Sequence, residues 1–401
     1  MSTIRPGGFT HPGNSVITRK DHKSATSTEA LTNVPTLVPA FDRQDKIFAS
    51  AFAVLEDAIS ARAFPAAAIA VIDRDRLVAL KSFGNFVYES DSPQVTASTL
   101  FDVASLTKPV ATTTMAMILY ERGLLELEAP LVGVVPEFMA DACGEPDPRR
   151  RDVTFHMLLA HSSGLPAYEK LFLKAHTRED LLRAAFTTSL STDPGTHAEY
   201  SDIGFIVLGA ALERLAGESL DVFCKREIFG LLGTSHTTFY PPRAARDKIP
   251  PTADDRTFRK RIIQGEVQDE NAFVLGGIAP HAGLFSTAED LARFAHALLN
   301  GGRPILRPET VALFTRSEST PPGTSRTLGW DTPSGASSQA GKYFGPRSFG
   351  HLGYTGTSLW IDPDRQLSIT LLTNRTWPDC ANLAIKQVRP EFHDAIVEAI
   401  G

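Results

Sequence analysis

Strand-forming sequence lies near the two ends of this chain, and that separation is what most limits how it can fold. Ala67 to Ile72 and Leu77 to Phe83 read as a hairpin turning at Asp73-Arg74-Asp75-Arg76. Far downstream, Thr357 to Ile361 and Gln366 to Thr373 flank Asp362-Pro363-Asp364-Arg365 and read as a second hairpin. From Ser105 to about Gly301 the pattern is mainly helical. The simplest assembly joins early and late strands into one antiparallel sheet packed by the terminal helices, with the helical middle as a second lobe. A cleft between the lobes is then the natural place for a site.

Helix signals support that division. Phe41 to Arg62 carries Ile47, Phe48, Ala51, Phe52, Leu55 and Ile59 at three-and-four spacing. Thr177 with Asp180, and Thr287 with Asp290, resemble capping boxes, and Gly123, Gly217 and Gly301 stand where helices can end. Pro390 precedes an expected closing helix, Phe392 to Ile400. The expected class is α+β, of the α/β sandwich type, with a sheet lobe from about 41–104 and 340–401 and a helical lobe from about 105–339. Residues 1–40, rich in Ser, Thr, Pro, Gly and Asn, read as a flexible tail ahead of one domain, 41–401.

Composition removes several function classes. Forty basic and 46 acidic side chains give a net charge of −6, and no basic run is long enough to track phosphates, so nucleic acid is not an expected partner. Three cysteines, Cys143, Cys224 and Cys380, fit neither a disulfide framework nor a thiolate metal site. The opening twenty residues carry no apolar run of signal-peptide length, which leads us to expect a cytoplasmic protein and leaves a periplasmic one open. Ala66 to Ile72 is far short of the ~20 residues a membrane span needs. No cofactor is implied, and oligomeric state is not legible.

The chemistry begins at Ser105-Leu106-Thr107-Lys108, an S-x-x-K pair at the head of an apolar stretch that runs to Gly123. On a helix starting at Ser105, positions three apart share a face, so the amine can reach the hydroxyl. Pro109 in the first turn is compatible with such a start. A serine hydroxyl needs a base to become a nucleophile, and a lysine serves only if burial or charge depresses its pKa. Free N–H groups at a helix start can also hold an oxyanion. By itself the pair is equally a helix cap beside a solvated lysine.

Two further stretches add weight. Tyr200 and Asp202 head a strongly apolar helix, and a tyrosine there can act as a base if an ammonium lies near, although a half-buried tyrosine before a helix is common. His351, Gly353 and Gly356 precede the late hairpin, where glycine lets backbone approach a ligand closely, or simply turns the chain.

In this order the three elements resemble the serine β-lactamase and penicillin-binding-protein superfamily, nearest the class C branch with its family VIII carboxylesterases and D-amino-acid peptidases. That family runs S-x-x-K, Y-x-N, K-T-G; here the positions read Ser105-Leu106-Thr107-Lys108, Tyr200-Ser201-Asp202 and His351-Leu352-Gly353. Leu158 to Pro166 and the stretch from His281 also look familial, and the resemblance spans Phe41 to the C-terminus. It implies that Ser105 attacks a carbonyl, that Lys108 and Tyr200 share the proton, and that the N–H groups of Ser105 and Tyr354 form the oxyanion hole. Tyr168 falls where relatives place a substrate-amide contact. The expected substrate is a small-molecule ester, a β-lactam or a short peptide, turned over through an acyl-enzyme. D-Ala-D-Ala carboxypeptidase activity is the alternative.

Two departures bear on substrate. His351 replaces a lysine that helps hold a substrate carboxylate, and Leu352 lacks a threonine hydroxyl, which favours simple esters or a specialised peptide. Asp202 in place of asparagine is expected to hold Lys108 protonated and so make Tyr200 the base. Against a metal hydrolase, His156 and His161 are five apart and no H-E-x-x-H occurs; His161 and His281 are expected to make structural hydrogen bonds. No G-x-S-x-G elbow supports an α/β-hydrolase. A non-catalytic binding relative has no need of Ser105, Lys108 and Tyr200 together. The charged stretch 250–273 reads either as a roof over the cleft or as a surface loop.

Overall fold

The computed structural model describes residues 36–401 apart from Ala142, Ala336 and Ser337. Most of the expected tail, residues 1–35, lies outside the described residues. Among the described residues the strands in chain order are β1 (Val38–Pro39), β2 (Ala66–Asp73), β3 (Arg76–Gly84), β4 (Phe101–Asp102), β5 (Ala253–Asp255), β6 (Arg261–Ile263), β7 (Phe285–Ser286), β8 (Phe349–Leu352), β9 (Ser358–Asp362) and β10 (Leu367–Thr373).

The main sheet has the order β1-β3-β2-β10-β9-β8. Its centre is the antiparallel pairing of β2 with β10, from Asp73↔Leu367 to Ala67↔Thr373, which joins the early hairpin to the late one. Both hairpins form where the sequence places them. Among the described residues the one parallel pair is β1 with β3, at an edge and two residues long. The class is α+β.

Strand alternation divides the core. Ala67, Ile69 and Val71 face a layer containing Phe48, Phe52 and Leu55, beside the Ala49–Ser60 helix, with Ile385, Phe392 and Ile396 of the closing helix. Ala66, Ala68, Ala70 and Ile72 point the other way into the larger cluster, which includes Leu291, Ala292 and Ala295. Those last residues belong to the Ala288–Leu299 helix, which packs on β2 and β10. A helix expected in the helical lobe therefore forms the sheet's second covering layer. The physical reason is that β2 is buried along nearly its whole length and needs cover on both faces. Each large apolar side chain so buried contributes about 1.5–3 kcal/mol.

Local signals hold with two exceptions. Thr177 and Thr287 accept the N–H groups of Asp180 and Asp290, each at 3.1 Å, and Gly123, Gly217 and Gly301 have φ of 67°, 71° and 71°. The expected Phe41–Arg62 helix is broken at Phe48, whose φ of −104° and ψ of 22° separate Gln44–Ile47 from Ala49–Ser60. The closing helix spans Ile385–Ile400 with Pro390 inside it rather than ahead of it. Proline removes the hydrogen bond to Lys386 O, and the side-chain amide of Gln339 donates to that carbonyl instead, at 3.0 Å. Among the described residues, no helix is long and apolar enough to cross a membrane.

Candidate active site

The strand pair β4–β7 delivers the chain to Ser105. Asp102 ends β4, and Ala104 then adopts φ of +48°, a left-handed conformation that costs an alanine about 1–2 kcal/mol. The Asp102 carboxylate accepts the Ala104 N–H at 2.8 Å. A 3₁₀ turn, Ala104–Leu106, follows, then a wide π-helical segment, Lys108–Thr113, and a regular helix, Thr114–Glu121. The regular helix expected from Ser105 is thus irregular at its start, where Pro109 supplies no N–H. In a 3₁₀ turn residues three apart eclipse one another, and Lys108 Nζ lies 3.1 Å from Ser105 Oγ.

Lys108 is fully buried and its amine has three other neighbours: Tyr200 Oη at 2.5 Å, Asp202 Oδ1 at 2.5 Å and His281 O at 3.0 Å. An ammonium carries three protons, so four oxygen acceptors exceed what it can serve. A neutral amine also makes three bonds, two donated and one accepted, and in that state it can take the Ser105 proton. The Tyr200 hydroxyl in turn donates to Ser105 Oγ at 2.8 Å. Tyr200 is held because Ser201 caps the Asp202–Ala216 helix, accepting the Gly204 N–H at 2.9 Å and donating to Pro166 O at 2.7 Å. The Ser201 N–H is accepted by His161 Nδ1 at 3.0 Å. As the first helical residue, Asp202 places its carboxylate at the positive end of the helix dipole.

Electrostatics reverse one expectation. Burial pushes the Lys108 amine below the usual lysine value, with Asp202 opposing it and losing. Burial, and then Asp202, push the Tyr200 phenol well above its usual value. Both directions run against the expectation that Asp202 keeps Lys108 charged and leaves Tyr200 as the base, because desolvation outweighs the single carboxylate at the amine and opposes a phenolate at Tyr200.

His351 sits in β8, buried, with its Nδ1 donating to Leu352 O at 2.8 Å. Burial brings its pKa down to about 3, so the ring is neutral at pH 7. It lies 6.0 Å from the Tyr200 ring, and among the described residues its Nε2 has no partner. Gly353 packs tightly against the nucleophile turn: a Cβ there would stand 2.5 Å from Val103 O and 1.9 Å from Thr357 Oγ1. Thr355 and Thr357 donate to Asp102 O and Val103 O at 2.8 and 3.0 Å, which fixes the turn carrying Tyr354 beside Ser105. The Tyr354 carbonyl accepts from Arg375 Nε at 2.7 Å. Tyr168 lies at the rim, 38% exposed, its phenol raised by burial and by Asp269, Glu270 and Asp202. The residues singled out in the sequence therefore converge.

Other neighbours carry no motif, although part of them falls in the 250–273 stretch read as a roof or a surface loop. The segment Gln268–Asn271 touches three walls of the site. The Gln268 N–H donates to Asp102 Oδ2 at 2.7 Å, and Asp269 pairs with His281 Nε2 at 2.9 Å. Asn271 bonds Phe172 N and Glu169 O, beside Tyr168. The stretch 250–273 thus contains the β5–β6 hairpin and ends against the site, with the buried Arg259 guanidinium holding the carbonyls of Val267 and Gln268. Arg326 places its guanidinium 5.6 Å from the Tyr200 ring centroid and pairs with Asp331. His156 bridges Glu128 and Glu318, apart from His161.

Comparison with known proteins gives the family. The profile of the family described as Beta-lactamase matches residues 51–389. An N-acetylmuramyl-L-alanine amidase of Bacillus subtilis (strain 168) is 31% identical over 347 residues, covering 79% of this chain and 78% of the relative. A protein of Escherichia coli (strain K12), provisionally named a D-alanyl-D-alanine carboxypeptidase, is 30% identical over 344 residues, covering 78% and 79%. Among solved structures, EstCE1, a hydrolase with promiscuous acyltransferase activity, superposes with a TM-score of 0.72 at 22% identity, covering 88% of this chain and 99% of the other. The chain belongs to the beta-lactamase family of serine hydrolases.

Proposed function

We propose that the chain hydrolyses a small ester or amide through an acyl-enzyme on Ser105. The observation that carries this reading is one hydroxyl 3.1 Å from a buried amine and 2.8 Å from a phenol. Ser105 Oγ bonds to the substrate carbonyl carbon while its proton passes to the neutral Lys108 Nζ. The oxyanion is held by the N–H groups of Ser105 and Tyr354. As the bond to the leaving group breaks, the Tyr200 phenol protonates that group and takes a proton back from Lys108. Water then repeats the sequence: its proton goes to Lys108, its oxygen bonds to the acyl carbon, and Ser105 leaves reprotonated by Tyr200.

A neutral, buried His351 supplies no cation for a substrate carboxylate, and Arg326 is already paired. This favours esters or a specialised peptide over β-lactams. The test is a panel of p-nitrophenyl esters, nitrocefin and D-amino-acid peptides, run beside Ser105→Ala. Turnover of an ester or peptide by the wild type alone is expected; equal rates in both proteins would remove Ser105 from the reaction.

Two variants probe the parts of this scheme. Tyr200→Phe keeps the ring and loses the proton donor, and kcat is expected to fall about 10²–10⁴-fold with the melting temperature near that of the wild type. Near wild-type turnover would exclude the phenol. Gly353→Ala forces the turn away from Val103 O, and a displacement of this kind is expected to lower kcat/KM about 100-fold. Unchanged kinetics would mean that the Tyr354 N–H takes no part.

A further inference from the structure

We propose that Asp102 is a positioning residue for the Ser105 nucleophile, its carboxylate locking the turn that presents the hydroxyl to the segment that closes the site. The proposal rests on acyl transfer at Ser105 and adds a residue that makes no contact with the reacting atoms.

The carboxylate is buried, 2% exposed, and among the described residues no cation forms an ion pair with it, Arg259 acting on it only from further away. Its two oxygens are used separately: Oδ1 accepts the Ala104 N–H at 2.8 Å and Oδ2 accepts the Gln268 N–H at 2.7 Å. Both donors are backbone groups, so the side chain joins two stretches of main chain that are remote in sequence. On one side the acceptor supports Ala104 at φ of +48°, a conformation alanine avoids, immediately before the nucleophile. On the other it fixes Gln268, whose neighbour Asp269 holds His281 by Nε2, while His281 O receives Lys108 Nζ. One carboxylate thus sets the relative position of Ser105 and of the peptide that holds the amine. The backbone of Asp102 is fixed independently, since its carbonyl accepts the Thr355 hydroxyl at 2.8 Å and β4 pairs with β7.

A purely structural reading would ask only that the pocket be filled and its donors satisfied. The geometry points further, because the two oxygens hold two remote main-chain segments, one of them at the strained Ala104 just before the nucleophile, and they do so although burial lifts the carboxyl to about 6. An ionised group held at that cost is retained where two N–H acceptors are needed at one point, which an amide cannot supply. Asparagine accepts one of the two N–H groups and turns its own NH₂ against the other.

The experiment measures the rate of Ser105 labelling by a fluorophosphonate, with kcat, KM and melting temperature on the best substrate of the panel. Labelling of the wild type is established first; its absence would count against the proposed reaction itself, not against Asp102. Asp102→Asn is expected to lower labelling and kcat at least about tenfold while KM stays within about threefold, the pattern of a misplaced reacting group. Combining it with Ala104→Gly, which relieves the left-handed strain, is expected to restore part of that rate. Should Asp102→Asn not fold, Ala104→Val leaves the carboxylate in place and opposes the same backbone angle, and is expected to lower labelling by at least about tenfold. A folded Asp102→Asn that labels at the wild-type rate overturns the proposal. So does an undiminished rate in Ala104→Val, or a double variant no faster than Asp102→Asn alone.

Discussion

Alanine at position 105 is expected to leave a folded chain whose turnover falls about 10⁵-fold or more, the scale at which removing a covalent nucleophile acts. The fold does not depend on this hydroxyl. Its hydrogen-bond partners are Lys108 Nζ and Tyr200 Oη, and Lys108 keeps Asp202, Tyr200 and His281 O when it is gone. The loss of one partly exposed hydroxyl costs about 1 kcal/mol. The check is kcat/KM beside a melting curve: activity gone with melting preserved is the expected pair, whereas activity within tenfold of wild type would place the nucleophile elsewhere.

Replacing Lys108 by methionine is expected to remove at least about 10³-fold of kcat, since it takes away both the acceptor of the serine proton and the source that reprotonates Tyr200. Here stability also suffers. Asp202 loses a hydrogen-bond donor in a largely buried setting, which costs about 1–3 kcal/mol and shows as a lower melting temperature. The wild-type pH profile carries the same information. Lys108 works as the neutral amine, so activity rises as pH rises through its pKa, and burial moves that limb below the ordinary lysine range. Asp202 pulls the pKa upward, so Asp202→Asn is expected to move the limb to lower pH. A limb at an unshifted lysine value, or a shift upward in Asp202→Asn, would contradict the assignment. His351, brought down to about 3, contributes no step near neutrality.

The parts of this molecule that the sequence exposes are those governed by local periodicity and short spacing. The two hairpins, the caps at Thr177 and Thr287 and the three-residue step from Ser105 to Lys108 are all of that kind. What escapes is decided by contacts remote in sequence. The balance at Lys108 is an example, because the presence of Asp202 is legible while the extent of burial is not, and burial wins. The Ala288–Leu299 helix shows a strong apolar face, yet nothing local says that it lies on the sheet instead of within the helical lobe. Asp102, Asn271 and Arg326 stand in stretches without motif or period. Their partners, Gln268, Phe172 and Tyr200, are more than ninety residues away in each case. Pro390 misleads for a similar reason, since the amide that accommodates it inside a helix comes from Gln339.

The account rests on covalent chemistry at one oxygen, and intact-protein mass spectrometry after treatment with a fluorophosphonate, followed by peptide mapping, tests it most directly. One adduct per chain is predicted, on the peptide containing Ser105, and none on the Ser105→Ala variant. A wild-type enzyme that consumes substrate yet stays unmodified, or carries the adduct on another residue, would contradict the account.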